Sequence, residues 1–180
     1  MKTLSISALL LTALMLAGCA ASSGRPRWSA DMTRNTIVSR SGILLAGNDR
    51  LSTPNTFRPP VEIKLVARTD STNLRLAYAA DQVVFNWELD REQLRVDGGP
   101  ADGCHKPGKG GIPTHRDVTI RWIVMPGSQS LYVDGELRFE HLGDYTKIDR
   151  NVTIFPAAGS RVTVKSLQVE ELTGWSRPQF

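Results

Sequence analysis

Three carboxylates at alternate positions, Glu88, Asp90 and Glu92, have the spacing in this chain that most directly suggests catalysis. On an extended strand, side chains two apart share a face, so the three would project together. One carboxylate could then attack an anomeric carbon while another protonates the leaving group. Retaining glycoside hydrolysis needs such a pair about 5–5.5 Å apart. The intervening Leu89 and Arg91 argue the other way, because the opposite face would then bury an unpaired arginine. The plainer alternative is a charged turn or strand edge in solvent.

Other residues with chemistry to offer are scattered. Trp28, Trp87, Trp122 and Trp175 carry rings on which a sugar can stack. Trp122 is in phase with Val118 and Ile120 and so belongs in a core, which leaves Trp87 as the candidate ligand platform. Cys104, His105, His115 and His141 have donor types that suit zinc. Adjacent Cys104 and His105 point apart on extended chain, however, and the others follow at no recognised ligand spacing, so no metal site is expected. Residues 97–111 form a glycine-rich stretch with Lys106 and Lys109, without the strand, helix and hydroxyl residue that a phosphate-cradling loop requires. They read as a mobile rim loop, the kind of segment in which binding residues often sit.

The amino terminus carries an address. Met1-Lys2-Thr3 precedes an apolar run from Leu4 to Leu16 and a small-residue exit, Ala17-Gly18-Cys19, the order of a secretory signal. The run is too short to cross a bilayer, which takes about 20 residues. Leu16-Ala17-Gly18-Cys19 resembles the lipobox of bacterial lipoproteins, which implies lipidation of Cys19 after cleavage. Residues 1–18 are then the signal peptide, 19–30 the lipid anchor and tether, and 31–175 one folded domain. Ala20 is not the aspartate that retains such lipoproteins at the inner membrane, so the resemblance implies a cell-envelope protein, at the outer membrane if the organism is Gram-negative.

The charge is mild. The whole chain carries 22 basic and 18 acidic residues for a formal +4, and loss of Lys2 with the signal leaves +3. Both signs are interspersed, with no basic block of the kind that marks nucleic-acid binding. Beyond Cys19 the one remaining thiol is Cys104, so no internal disulfide is available and the core must hold the domain alone.

The positioning elements are strands. Val61, Ile63, Leu65 and Ala67 alternate with Glu62, Lys64 and Arg68, a period of two that marks a half-buried strand. Residues 118–124 and the Val162/Val164 stretch repeat the pattern. Segments 42–46, 73–79, 82–87, 93–96 and 152–155 are further candidates, each bounded by turn residues. Asp134-Gly135 between two alternating segments predicts a hairpin with a type I′ turn, since both tolerate the positive φ it demands. No amphipathic helix is expected, and the whole reads as an all-β antiparallel sandwich.

The run from Val118-Thr119-Ile120-Arg121-Trp122 through Leu131-Tyr132-Val133-Asp134-Gly135-Glu136 to Val162-Thr163-Val164-Lys165-Ser166-Leu167 resembles concanavalin A-like (laminin-G-type) jelly-roll domains over roughly residues 58–172. That resemblance implies two curved sheets whose concave face and rim loops bind sugars or proteins in some members. Related sandwiches bind calcium at the rim, which would point to Asp97, Asp102 or Asp144; no other cofactor is implied. Glu88-Leu89-Asp90-Arg91-Glu92 also has the spacing of laminarinase-type glycosidases with this sandwich. Two functions follow: a lipid-tethered, non-catalytic module binding a glycan or an envelope protein, or a lipid-anchored hydrolase using Glu88, Asp90 and Glu92.

Overall fold

A computed structural model describes residues 29–31 and 36–172. The expected signal sequence, Cys19, most of the expected tether, Trp28 and Trp175 lie outside the described residues. Twelve strands follow one another: β1 (Ser29–Asp31), β2 (Thr36–Ala46), β3 (Leu51–Ser52), β4 (Val61–Thr69), β5 (Leu74–Ala77), β6 (Gln82–Phe85), β7 (Arg95–Asp97), β8 (Val118–Met125), β9 (Ser128–Val133), β10 (Glu136–Leu142), β11 (Thr153–Phe155) and β12 (Arg161–Glu171). The one helical piece among them is a 3₁₀ turn, Gly99–Ala101. β1 begins within the stretch expected to be tether.

The strands form two antiparallel sheets. One has seven strands in the order β1-β2-β12-β4-β8-β9-β10, the other five in the order β3-β11-β5-β6-β7. The chain crosses between the sheets through links ranging from residues 47–50 to residues 98–117, and β12 lies between β2 and β4 although it comes last. Period-two patterning accounts for the layering: in β4, Val61, Ile63, Leu65 and Ala67 are fully buried, while Lys64 is exposed. In β8, Val118, Ile120, Trp122 and Val124 point into the same layer.

The core is one contiguous cluster drawn from both sheets. At its centre Trp122 is fully buried, as its phase predicts, and meets Tyr78 edge to face with ring centroids 6.2 Å apart. Their polar atoms are satisfied: Trp122 Nε1 donates to Gln129 Oε1 at 2.8 Å and the Tyr78 hydroxyl donates to the Phe57 carbonyl at 3.1 Å. Burial pushes the Tyr78 phenol well above its ordinary range. The expected hairpin joins β9 to β10, with Asp134 at φ 49° and Gly135 at φ 84°, both positive as a type I′ turn requires.

The glycine-rich stretch differs from its expectation as a free rim loop. It runs back along β7 and covers that edge strand: the Leu94 and Lys106 backbones exchange two hydrogen bonds at 2.9 Å, Gly103 N donates to the Val96 carbonyl at 3.1 Å, and Val96 N donates to His105 Nδ1 at 3.1 Å. An open sheet edge invites pairing with other chains, and this segment occupies it. Cys104, a free thiol, packs against the core beside it.

Candidate functional site

The five-stranded sheet turns its apolar side chains inward and presents polar ones outward. Leu74 and Leu76 of β5 face the core, so Arg75 between them faces out; Val83 and Phe85 of β6 do the same for Gln82 and Val84, and Val96 of β7 for Arg95 and Asp97. Strand register then sets the rows. Phe155 pairs with Arg75, Arg75 with Val84 and Val84 with Arg95, while Gln82 pairs with Asp97. Val84, between the two arginines, is buried without belonging to the core between the sheets.

These outward groups form one hydrogen-bonded system. Arg75 donates through Nε and Nη2 to Asn73 Oδ1, at 3.2 and 2.8 Å, and through Nη1 to Gln82 Oε1 at 3.1 Å. Gln82 Nε2 donates to Asp97 Oδ2 at 2.6 Å, and the same carboxylate receives Arg95 Nε at 2.7 Å. Gln82 therefore links the two arginines, and the network fixes both guanidinium planes. Two aromatic rings flank the row: the Arg95 guanidinium lies 4.6 Å from the Trp87 ring centre, and that of Arg50 lies 4.2 Å from the Phe155 ring. Such stacking contributes about 0.5–2 kcal/mol per pair.

At the Phe155 end the face opens into a cleft of about 510 Å³, bounded by residues 47–50 on one side and 155–158 on the other, with Arg75 between. That volume lies within the usual range for small-ligand sites, roughly 300–1,000 Å³. A turn sets one wall: Asp49 N donates to the Ala46 carbonyl and Asp49 Oδ2 accepts from Ala46 N, both at 3.0 Å.

Trp87, the expected platform, lies at the opposite end of this face, half-buried, with the Arg95 guanidinium over its ring. The 87–92 segment is not a strand. β6 ends at Phe85 because Asn86 takes a left-handed conformation, φ 48°, while its buried amide exchanges two hydrogen bonds with the Ile112 backbone, at 2.9 and 2.8 Å. Asparagine tolerates that region better than most residues. Period-two alignment of Glu88, Asp90 and Glu92 is thereby lost. Glu88 reaches the rim of the face, 3.6 Å from Arg75 Nη2; Asp90 Oδ1 accepts from Glu92 N at 3.1 Å, closing a turn; and the Glu92 carboxylate borders Gly111.

The possible metal ligands do not converge. His105 receives a β7 amide, His115 sits in a turn at φ 58°, and His141 Nδ1 is 2.7 Å from the Tyr145 hydroxyl. The acids suggested for calcium are engaged separately: Asp97 by Arg95 and Gln82, Asp102 by the Gly98 amide at 2.6 Å, and Asp144 by the Thr146 amide at 3.0 Å. Among the described residues, no three His, Cys, Asp or Glu side chains gather around one point.

Arg75, Gln82 and Arg95 were not among the residues singled out from sequence, and Asp97 was named there only as a calcium ligand, not as part of this face. Their signal was present in the parity of Leu74-Arg75-Leu76 and Leu94-Arg95-Val96-Asp97, where charged residues occupy the outward positions of strands whose other face is apolar.

No protein-family model matches the chain, and no curated protein matches it by sequence. Solved structures do share its fold. The exoplasmic/lumenal domain of VIP36 in its Ca²⁺/Man-bound form superposes with a TM-score of 0.57 at 8% identity, covering 81% of this chain and 84% of that one. The Bacillus licheniformis β-glucanase gives 0.54 at 10% identity, with 80% and 88% covered. The Caenorhabditis elegans galectin LEC-6 gives 0.53 at 11%, with 76% and 96% covered. The fold is that of the concanavalin A-like sandwiches, an architecture that serves both lectins and glucanases.

Proposed function

We propose that this protein is a non-catalytic glycan-binding module, with the outer face of β11-β5-β6-β7 as its binding surface, held at the cell envelope by a lipid on Cys19. The observation that carries the reading is the row across that face. Guanidinium, amide and carboxylate groups in fixed orientation, flanked by two aromatic rings and opening into a cleft, form a set suited to ring hydroxyls and apolar sugar faces. Lectins among the structural neighbours add support at the level of fold, which by itself does not assign a function.

A glycan array probed with the purified full-length chain tests this. The expected outcome is binding to a restricted set of glycans that weakens at least tenfold in Arg95→Ala, a variant that removes both the Trp87 stack and the link to Asp97. Retained wild-type binding in Arg95→Ala, or capture of an envelope protein with no glycan bound, would move the site elsewhere or replace the ligand class.

A second reading is glycoside hydrolysis by Glu88 with Asp90 and Glu92. It draws its support from the position of Glu88 at the rim of the same face. Hydrolysis of β-glucan that Glu88→Gln abolishes would establish it, whereas equal rates in the two proteins would remove Glu88 from the chemistry.

A further inference from the structure

The cleft end of the face has a charge character that the rest of the row lacks. At the far end Arg95 is matched by the Asp97 carboxylate 2.7 Å away. At the cleft end, Arg50 makes no ion pair with any described carboxylate, and its one recorded partner is the Phe155 ring. Arg75, also on the cleft, donates three hydrogen bonds to neutral amide oxygens, and its nearest carboxylate, Glu88, stands 3.6 Å off. A guanidinium has five N–H donors; beyond those three bonds Arg75 is also ion-paired with Glu88 through Nη2, which leaves Arg50, among the described residues, as the unpaired cation of the cleft. Asp49, the acid that borders the cleft, is partly occupied by the Ala46 amide.

Both aromatic rings, moreover, carry a guanidinium over one side. What reaches a ligand at the cleft is the exposed Arg50 guanidinium, stacked on Phe155, with Arg75 beside it and Pro156, Ala157 and Ala158 as an uncharged wall. A planar carboxylate matches a guanidinium fork bidentately, where a neutral hydroxyl uses one donor at a time.

We infer that the cleft between Arg50 and Arg75 selects glycans bearing acidic sugar residues, receiving the sugar carboxylate on these two guanidinium groups. The inference rests on the glycan-binding reading and narrows it to a ligand class. Charge-assisted hydrogen bonds at this solvent-open cleft set the preference, which therefore weakens as salt screens the pair.

Equilibrium titration of the full-length protein with oligogalacturonate and oligoglucuronate, each against its own methyl ester, tests the assignment. The expected result is at least one acid probe binding about tenfold or more tightly than its ester, with the ratio falling towards one at high salt and in Arg50→Gln. Arg116→Gln, at a remote exposed position, keeps the ratio. Arg50 lies outside the Asn73–Asp97 network, so its substitution leaves the fold intact; a thermal melt confirms this, and Arg50→Lys gives a second variant, retaining charge while losing the fork. Acid and ester binding equally would overturn the acidic-sugar inference and leave the glycan-binding module standing. Failure of every acidic and neutral glycan to bind would remove both. Competition by inorganic sulfate as effective as the acid probe would show an anion site without sugar recognition, and would overturn the assignment too.

Discussion

A nearly buried carboxylate on a sheet surface needs partners, and Glu62 has two. Its side chain is 8% exposed on the outer face of β4, hydrogen-bonded to Arg121 of the neighbouring strand and 3.1 Å from Lys64 Nζ. Burial by itself would raise its pKa, but the hydrogen bonds and charges of Arg121 and Lys64 outweigh it and hold the carboxyl below its ordinary value. A carboxyl depressed in the folded state stabilises the fold above its unfolded pKa, and that contribution fades as pH falls through the folded one. Both partners are about half exposed, which screens the pair. Glu62→Gln should therefore cost about 1–2 kcal/mol near neutral pH, and the gap from wild type should shrink below about pH 4.5. Denaturant unfolding at neutral pH and at about pH 3 measures both numbers; a gap that grows on acidification would refute the assignment.

Among the elements, the edge of β7 shows how a loop read as free becomes structural. Gly110 is buried, its amide donates to the Glu92 carbonyl at 2.8 Å, and its own carbonyl receives Asn86 N at 3.0 Å. A Cβ built there falls 2.2 Å from the Gln93 backbone, whereas one at Gly108 meets nothing within 4 Å. Gly110→Ala must push two backbones apart and should cost on the order of 2–4 kcal/mol. Gly108→Ala pays only for its positive φ, about 1–2 kcal/mol. Thermal melts of the pair should show the order 110 worse than 108; the reverse would mean that the segment does not lie along β7. Strand periodicity made β4, β8, β9, β10 and the first part of β12 legible in sequence because apolar and polar residues largely alternate there, and Asp134-Gly135 fixed the hairpin locally, whereas the bulges at Leu137/Phe139 and Val164/Ser166 were not legible. The end of β6 was not legible. The candidate strand 82–87 stops at Phe85 because Asn86 and Ile112, 26 positions apart, bond, a tertiary contact that no local pattern encodes, while for 88–92 the sequence left strand and charged turn both open. The candidate face was missed for a related reason: Arg75, Gln82, Arg95 and Asp97 come from three strands, and only register brings them into one network.

For the whole molecule, the question is whether the domain would depend on the lipid proposed for Cys19. Its core runs continuously between the sheets, from Ile37 near the start of the described chain to Val169 near the end. Cys104 is a free thiol, so among the described residues no disulfide closes the fold. β12 lies between β2 and β4 with long ladders to both, which ties the late chain into the centre of the larger sheet and makes the sandwich cooperative without outside support. The lipid proposed for Cys19 would then serve location, its contribution separable from folding. Cys19→Ser should move the protein from the membrane fraction to the soluble one, with the wild-type melting temperature and undiminished affinity for any glycan that the array identifies. Fractionation followed by a thermal melt and titration checks each part. Release with lost affinity would mean that the binding face needs the membrane nearby, and recovery only as insoluble aggregate would mean that the sandwich does not stand alone.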